Sequence, residues 1–396
     1  MLAWLIVCVS FAFSLAGLVG LLQIRTRRRR PGSLPPITVL KPLSGADDDL
    51  EQNLETFLTQ SYPRFEILFG VTRKDDPAIS VVRRLLERHP RVSARLIVHE
   101  GCPLPNPKVA NLAGLLPHAQ FDALLISDSN VAAPSNYLAD LAAAFAEPNV
   151  GLVTNLFRGV GERTLGAALE NATLNGFIAV GNAAPTLIDD PVVVGKSMLF
   201  RRSTLDRIGG LAAFGNVLAE DYLLARAIHH AGQRIAFGSV VLSNVNRTTK
   251  LSTYWARHLR WSQIRSRVRP PAFALEPLTS PLVAAVLTAA TAGLGPALVV
   301  GLVLATIRDM IPWIIVRGLD HVLVPIVTWP IREACLLAIW LVTPFIKTVS
   351  WRGHPARIGP GSFLFVPRGL AEPSLPVELR PASSRTASND PTTSVA

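Results

Sequence analysis

From Leu2 to Gln23 no residue carries a charge, and the basic run "RTRRRR" follows one residue later. A helix needs about 20 apolar residues to cross a bilayer, so this stretch must be buried in lipid or in protein. In a cleaved signal peptide the positive charge precedes the apolar region and a small-residue cleavage site follows it. Here the charge comes after, and no such site is evident. Residues 1–24 therefore read as an uncleaved transmembrane anchor. Basic residues stay on the cytoplasmic side, which puts the chain after Arg30 in the cytoplasm.

With 396 residues, 49% of them apolar, the chain can bury one sizeable domain and still supply a membrane region. Its formal charge of +11 suits either nucleic acid or a cytoplasmic membrane boundary. Position separates the two, because the arginines flank apolar runs. Cys8, Cys102 and Cys335 have no metal-ligand spacing, and two of them lie in apolar runs, so neither disulfides nor zinc is expected. A cytoplasmic domain meets no glycosylating enzyme, so the sequons at Asn171 and Asn246 are read as chance.

Between Ile37 and about Gly238 short β-rich runs alternate with amphipathic segments. That alternation predicts an α/β fold, a doubly wound, mainly parallel sheet with helices on both faces. Strands are expected at "ITVLKPL", "FEILFGV", "ARLIVHE", "DALLISDSN" and "VGLVTNLFR", with "PVVVGKSMLFRR" also β-like. Helices are expected at "DLEQNLETFLTQ", "AISVVRRLLERH", "KVANLAGLLPHA", "NYLADLAAAFA", "LGAALENATLNGF" and "AEDYLLARAIHHAG". After Glu276 an uncharged stretch runs to Ile307, interrupted by Pro296, and predicts a kinked helix or a tight helical pair. The apolar runs at 311–316, 322–331 and 334–346 are each short for a crossing, so interfacial or re-entrant helices compete with spans there. The expected division is an anchor over 1–24, a soluble domain over 35–270, a transmembrane or interfacial helical region over 277–348 and a disordered tail over 369–396. A transporter would need charged residues inside its spans, and none is expected there.

In open α/β sheets ligands bind beyond the carboxyl ends of the strands. Two aspartates qualify, Asp76 in "VTRKDDPA" and Asp128 in "LLISDSNV". Either by itself also suits a turn or a helix cap. Asp128 follows an apolar strand, where a carboxylate suits a hard divalent cation carrying phosphates. Glu220 and Asp221 in "LAEDYLLARA" stand in the first turn of a helix, where carboxylates complement the macrodipole. A functional role for Asp221 would be general base toward an attacking hydroxyl. The Gly-Lys-Ser in "VVVGKSM" is no phosphate loop, since Asp190 stands where that motif needs glycine. Lys196 is left as a surface or pocket charge. The stretch "YWARHLRWSQIRSRVRP", residues 254–270, carries five arginines just before the long apolar tract.

Taken together and in order, "DDPA", "DSN", "AEDY" and "RHLRW" resemble the D, D, D, (Q/R)xxRW signature of inverting, lipid-acceptor glycosyltransferases. The patterns "VTRKDDPAI", "NPKVANL", "GLAAFGNVLAEDY", "RHLRWSQIRSRVRP…ALEPL" and "VSWRGHPARI" are more specifically similar to the ceramide glucosyltransferase family. The likeness covers roughly residues 35–360. It implies a GT-A-like fold and transfer of glucose from UDP-glucose to the primary hydroxyl of ceramide. By the same resemblance Asp76, Asp128, Lys108, Arg257 and Arg260 would bind the UDP donor, and Asp221 would be the base. Trp261 and Glu220 would face the acceptor. A divalent metal, Mg2+ or Mn2+, would be held at Asp128, with Asn130 in the position of a second carboxylate. The partners implied are UDP-sugar, ceramide or a related lipid and membrane lipid, without nucleic acid. The setting implied is multi-pass in a bacterial inner membrane, with the catalytic domain facing the cytoplasm. Arg265, Arg267 and Arg269 are read as boundary charge next to lipid. A hopanoid-associated N-acetylglucosaminyltransferase shares the motif order. A membrane-anchored nucleic-acid or anionic-lipid binder would explain "RTRRRR" but not three acidic sites at strand ends and helix starts.

Overall fold

The computed structural model describes residues 2–29, 32–46, 48–351 and 354–365. The tail over 369–396 lies outside the described residues. Eight strands form one sheet: β1 (Ile37–Pro42), β2 (Phe65–Val71), β3 (Ala94–Val98), β4 (Ala123–Ile126), β5 (Val131–Ala132), β6 (Val150–Val160), β7 (Met198–Arg201) and β8 (Arg234–Val245). Their order is β3-β2-β1-β4-β7-β6-β8-β5. The pairs β1–β2, β2–β3, β1–β4 and β6–β8 are parallel, whereas β7 runs antiparallel to both β4 and β6.

The central strands are mostly apolar because both faces are covered, with Thr38, Lys41 and Glu66 as buried polar exceptions. On one face the helices Leu50–Leu58, Ala78–Arg88 and Tyr137–Phe145 pack Leu54, Phe57, Val82, Leu85 and Leu141 against the sheet. On the other, Pro107–Leu115 and Glu220–His230 bring Val109, Leu112, Leu224 and Ile228. Each fully buried Leu, Ile, Val or Phe on these faces contributes about 1.5–3 kcal/mol.

Two expectations for the sheet change. Of "PVVVGKSMLFRR" only Met198–Arg201 is strand, because the residues before it leave the sheet and turn into the site described below. The sheet does not stop near Gly238: β8 continues to Val245 through a register shift opposite Asn155 and Phe157. There Asn155 Nδ2 donates to Val240 O at 3.0 Å, and Asp140 accepts from Val240 N at 3.1 Å and from the Ser239 hydroxyl at 2.5 Å. The Gly-Ser that reads as a break is a bulge held by side chains.

A three-stranded antiparallel sheet, β9 (Thr348–Trp351), β10 (His354–Ile358) and β11 (Leu364–Phe365), closes the described chain. It buttresses the loop before Glu220: Ser362 O accepts from Leu218 N at 2.9 Å, and the Ser362 hydroxyl accepts from Ala219 N at 3.1 Å.

Among the described residues three helices are long and apolar enough to cross a membrane: Ala3–Thr26, Leu294–Arg317 and Val324–Phe345. Pro270–Thr279 and Pro281–Ala292 form a further pair bent by 53°. The uncharged stretch breaks at Gly293, whose φ of +87° suits glycine, and not at Pro296. The short apolar runs after 310 are parts of two long helices, so charged residues do lie inside the candidate spans. They are paired there. Arg332 reaches Asp309 at 2.6 Å and Glu333 at 3.0 Å, Arg308 also pairs with Glu333, and the Ser280 hydroxyl donates to Glu333 at 2.6 Å. All four charged side chains are buried. The sequence separates these charges by a turn and a helix, so their mutual neutralisation is visible only in three dimensions.

Candidate active site

Parallel pairing of β1, β2 and β4 carries the chain after each strand to one edge of the sheet, so Asp76 and Asp128 share that edge, as expected. Their employment differs. Asp76 accepts from Gly45 N at 3.0 and 3.1 Å and from Ala78 N at 2.9 Å, tying the loop after β1 to the start of a helix. Asp128 is instead the centre of a charged cluster. Lys108 Nζ lies 2.9 Å from its Oδ1 and Lys196 Nζ lies 3.9 Å from its Oδ2. Lys41, fully buried on β1 with its ammonium 3.3 Å from the centre of the Phe57 ring, donates to Asp128 O at 2.8 Å.

Burial and charge compete here. Burial alone would raise the Asp128 carboxyl, but Lys108 and Lys196 hold it below the usual carboxylate range. Burial pushes the ammonium of Lys196 down, and that of Lys41 well down, in both cases against the pull of Asp128. Burial also acts against Lys108, yet Asp128, Glu220 and Asp221 together hold it firmly charged.

Lys108 links the two halves of the site. It starts the helix Pro107–Leu115, whose N-cap Asn106 accepts from Lys108 N at 3.0 Å and Val109 N at 3.1 Å. The Asn106 amide donates to Glu220 at 3.1 Å, and Lys108 Nζ stands 3.2 Å from the other Glu220 oxygen. Asp221 accepts from Gly195 N at 2.6 Å and from Tyr222 N at 2.8 Å. Burial raises both carboxyls, Glu220 to about 7, with Lys108 opposing in each case. Gly195 is required by close approach: a Cβ there would lie 2.7 Å from Lys108 Nζ and 3.0 Å from Asp221 Oδ2. The Gly-Lys-Ser that is no phosphate loop thus threads glycine past the carboxylate and sends Lys196 to Asn130, whose Oδ1 accepts at 3.2 Å.

The helix Leu251–Val268 supplies the arginines. Arg257 meets the fully buried Glu170 at 3.0 Å, and His258 meets its other oxygen at 3.1 Å. Burial alone would raise Glu170, but these two partners hold it down at about 2. Trp261 packs edge-on to His258, with ring centres 5.3 Å apart, and against the core. Arg260 shares its helix face with Arg257 and Trp261 by spacing. Two of the three arginines read as boundary charge are held by carboxylates: Arg265 by Glu276 at 2.5 Å, and Arg269 by Asp190. The basic run after the first helix is also partly spoken for, with Arg27 and Arg29 pairing with Glu147 at 2.7 and 2.8 Å.

Among the described residues no group of three or more His, Cys, Asp or Glu side chains is placed to hold a metal. One carboxylate, Asp128, and one amide oxygen, Asn130, remain as donors, both now facing ammonium groups. That set fits a magnesium-type ion only in the manner in which one or two protein oxygens are completed by substrate phosphates.

Lys41 and Lys196 are the residues that sequence reasoning did not place. The mid-strand lysine in "ITVLKPL" was the available signal, because a charge inside a buried strand needs a partner.

A model of glycosyl transferase family 21 matches residues 2–364. Ceramide glucosyltransferase 1 of Caenorhabditis elegans is 34% identical over 253 residues, which is 62% of this chain and 53% of that protein. The ceramide glucosyltransferase of Komagataella phaffii is 28% identical over 344 residues, 70% of this chain and 66% of that one. The chain thus spans about half the length of the Caenorhabditis relative. The solved mannosyltransferase PcManGT of Pyrobaculum calidifontis, in complex with GDP-Man and Mn2+, superposes with a TM-score of 0.52 at 22% identity, over 87% of this chain and 99% of that one. That likeness supports the GT-A-like α/β architecture.

Proposed function

The chain belongs to glycosyl transferase family 21, and from that premise we propose that it is a membrane-bound UDP-glucose:ceramide glucosyltransferase. The named ceramide glucosyltransferase relatives favour ceramide over the hopanoid alternative. Residues 35–270 form the catalytic domain, the region 277–348 and the anchor over 1–24 hold it to the membrane, and the basic run after the anchor turns it toward the cytoplasm. Two hydrocarbon tails keep ceramide in the bilayer, so the enzyme must meet its acceptor there.

The observation that carries this reading is Asp221, a half-buried carboxylate pinned by two backbone N–H groups beside the Asp128–Lys108 pair. In the ionised form it takes the proton of the ceramide primary hydroxyl. That oxygen attacks the anomeric carbon as the bond to the diphosphate breaks, so the α-linked sugar becomes a β-glucoside and UDP leaves with the electron pair. General-base catalysis contributes about 10²- to 10⁴-fold. Alignment of donor and acceptor contributes several kcal/mol, with an upper range of about 7–11.

Asp76 stands on the same sheet edge for the uridine part. Lys108 and Lys196 with Arg257 and Arg260 neutralise the charge growing on the diphosphate, in a site where such charges act strongly. Glu170 fixes Arg257 for that task. Glu220 positions Lys108, and Trp261 lines the acceptor side. A divalent cation, Mg2+ or Mn2+, bound by Asp128 and Asn130 with the diphosphate would add Lewis-acid neutralisation.

Asp221→Asn tests the assignment. Turnover should fall to background while UDP-glucose binding by calorimetry stays within about threefold, because only transition-state chemistry is removed. Full turnover in that variant would remove Asp221 from its role.

A further inference from the structure

The segment from Ala179 to Lys196 joins the first membrane helix to the reaction centre. At its start it packs closely on two glycines of that helix: a Cβ on Gly17 would lie 2.3 Å from the Val180 side chain (Cγ1), and one on Gly20 would lie 2.4 Å from the Ala183 backbone O. Gly20 precedes Thr26, the end of the helix, by six residues, or about 9 Å of axis. Interfacial elements sink about 5–10 Å into the boundary between headgroups and acyl chains. Ala183 therefore sits at acyl-boundary depth once the helix spans the bilayer and its arginines stay at the surface.

The chain continues as a short helical turn, Ala184–Ile188. Leu187 is 39% exposed and Ile188 77%, two large aliphatic side chains offered outward beside a membrane helix. The backbone then reverses at Asp189, with φ of +52°, whose carboxylate is exposed 3.6 Å from His229. Asp190 is clamped by Arg226 at 2.6 Å and by Arg269. Arg226 lies on the helix of Asp221, five residues or about 7.5 Å further along. Arg269 directly precedes the helical segment Pro270–Thr279. Five residues after Asp190 the segment delivers Gly195 N to Asp221 and then Lys196 to Asn130.

We propose that Leu187 and Ile188 insert into the leaflet and that residues 184–195 form the lip over which a bilayer lipid brings its primary hydroxyl to Asp221. The proposal rests on the lipid-acceptor reading above. The tip is aliphatic, it continues the surface of a helix long enough to span, and carboxylates begin only at Asp189, the level that headgroups would occupy. A bilayer lipid is therefore its occupant. The Asp190 clamp ties the lip rigidly to the helix that carries the base, so a lipid drawn up along Ile188 meets a fixed site.

Two measurements test this in the full-length chain reconstituted in vesicles. In a chain whose Cys8, Cys102 and Cys335 are serine, an environment-sensitive fluorophore on Ile188→Cys should emit as in an apolar medium and be quenched by doxyl lipids. The same label on Glu87→Cys, exposed on the helix Ala78–Arg88, should do neither. Equal behaviour at the two positions overturns insertion. In the native-cysteine chain, Ile188→Asp should raise the KM for long-chain ceramide in vesicles by about tenfold. It should leave UDP binding, and turnover of a dispersed short-chain ceramide, within about twofold. An unchanged KM for vesicle ceramide overturns the lip. If the unaltered chain glucosylates neither ceramide, the acceptor reading fails, whereas quenching at position 188 still decides whether the tip enters the bilayer.

Discussion

The buried charges between the two C-terminal helices allow a quantitative test. Arg332 donates to Asp309 at 2.6 Å, to Glu333 at 3.0 Å and to Ala172 O at 3.4 Å, and its side chain has no exposure. Two arginines face two carboxylates, so the tetrad is neutral as a whole. Arg332→Met removes one positive charge and leaves two buried carboxylates to share Arg308. Removing one partner of a buried ion pair costs about 3–5 kcal/mol, and the upper half of that range applies because Arg332 serves both carboxylates. Asp309→Leu should cost about 3 kcal/mol by the same reasoning. Combined, the two substitutions leave Arg308 paired with Glu333 and no uncompensated charge, so the double variant should recover part of the loss, with a coupling of about 1–3 kcal/mol. The assay is unfolding in detergent micelles followed by tryptophan fluorescence for the four chains of the cycle. A single Arg332→Met variant within about 0.5 kcal/mol of the unaltered chain, as for an ordinary surface change, would refute the paired tetrad. So would strict additivity.

Three further outcomes follow from the site. Lys196→Met should raise the KM for UDP-glucose by about 10- to 100-fold, the worth of one hydrogen bond to a charged group, and steady-state kinetics with an unchanged KM would contradict its diphosphate role. Gly195→Ala should cut kcat by about 10²-fold, because the new methyl displaces the base by a fraction of an ångström or more, and an undiminished kcat would contradict the packing. Asp221 must be ionised to act and burial raises it, so activity should climb with pH through a limb above the usual carboxylate range. Glu220→Gln, which removes a neighbouring negative charge, should move that limb to lower pH in the pH–rate profile. Glu220 is raised by burial from 4.5 to about 7, so its contribution to stability is full below 4.5 and is lost as pH rises through about 7. The Gln variant should lack that dependence in thermal melts.

Local patterns exposed most of the sheet and both partners of its edge. The strand Phe65–Val71 and the helix around Val82 and Leu85 are fixed by neighbours in sequence, and burial on one or two faces writes a period into them. The long strand ending at Val245 was hidden because Gly238 and Ser239 read as a terminus, and only Asp140 and Asn155 from other elements make a bulge of them. Charged pairs were the larger omission. Arg308, Asp309, Arg332 and Glu333 cut the apolar stretches into pieces that read as too short, since nothing in a linear scan shows that each charge has an opposite opposite to it. Asp221, Asp128 and the arginines at 257 and 260 were legible as a motif in order. Lys41, Lys196 and the Ser362 prop under the Glu220 helix were not, because their partners lie far away in the chain.

The most direct measurement of the central claim is radiolabelled sugar transfer in membranes holding the full chain. UDP-glucose is compared with UDP-N-acetylglucosamine, and ceramide with a hopanoid polyol. The structure and its family predict a labelled β-glucosylceramide from UDP-glucose and ceramide, abolished by Asp221→Asn. Absence of that product, or transfer of N-acetylglucosamine to the hopanoid instead, would contradict the account.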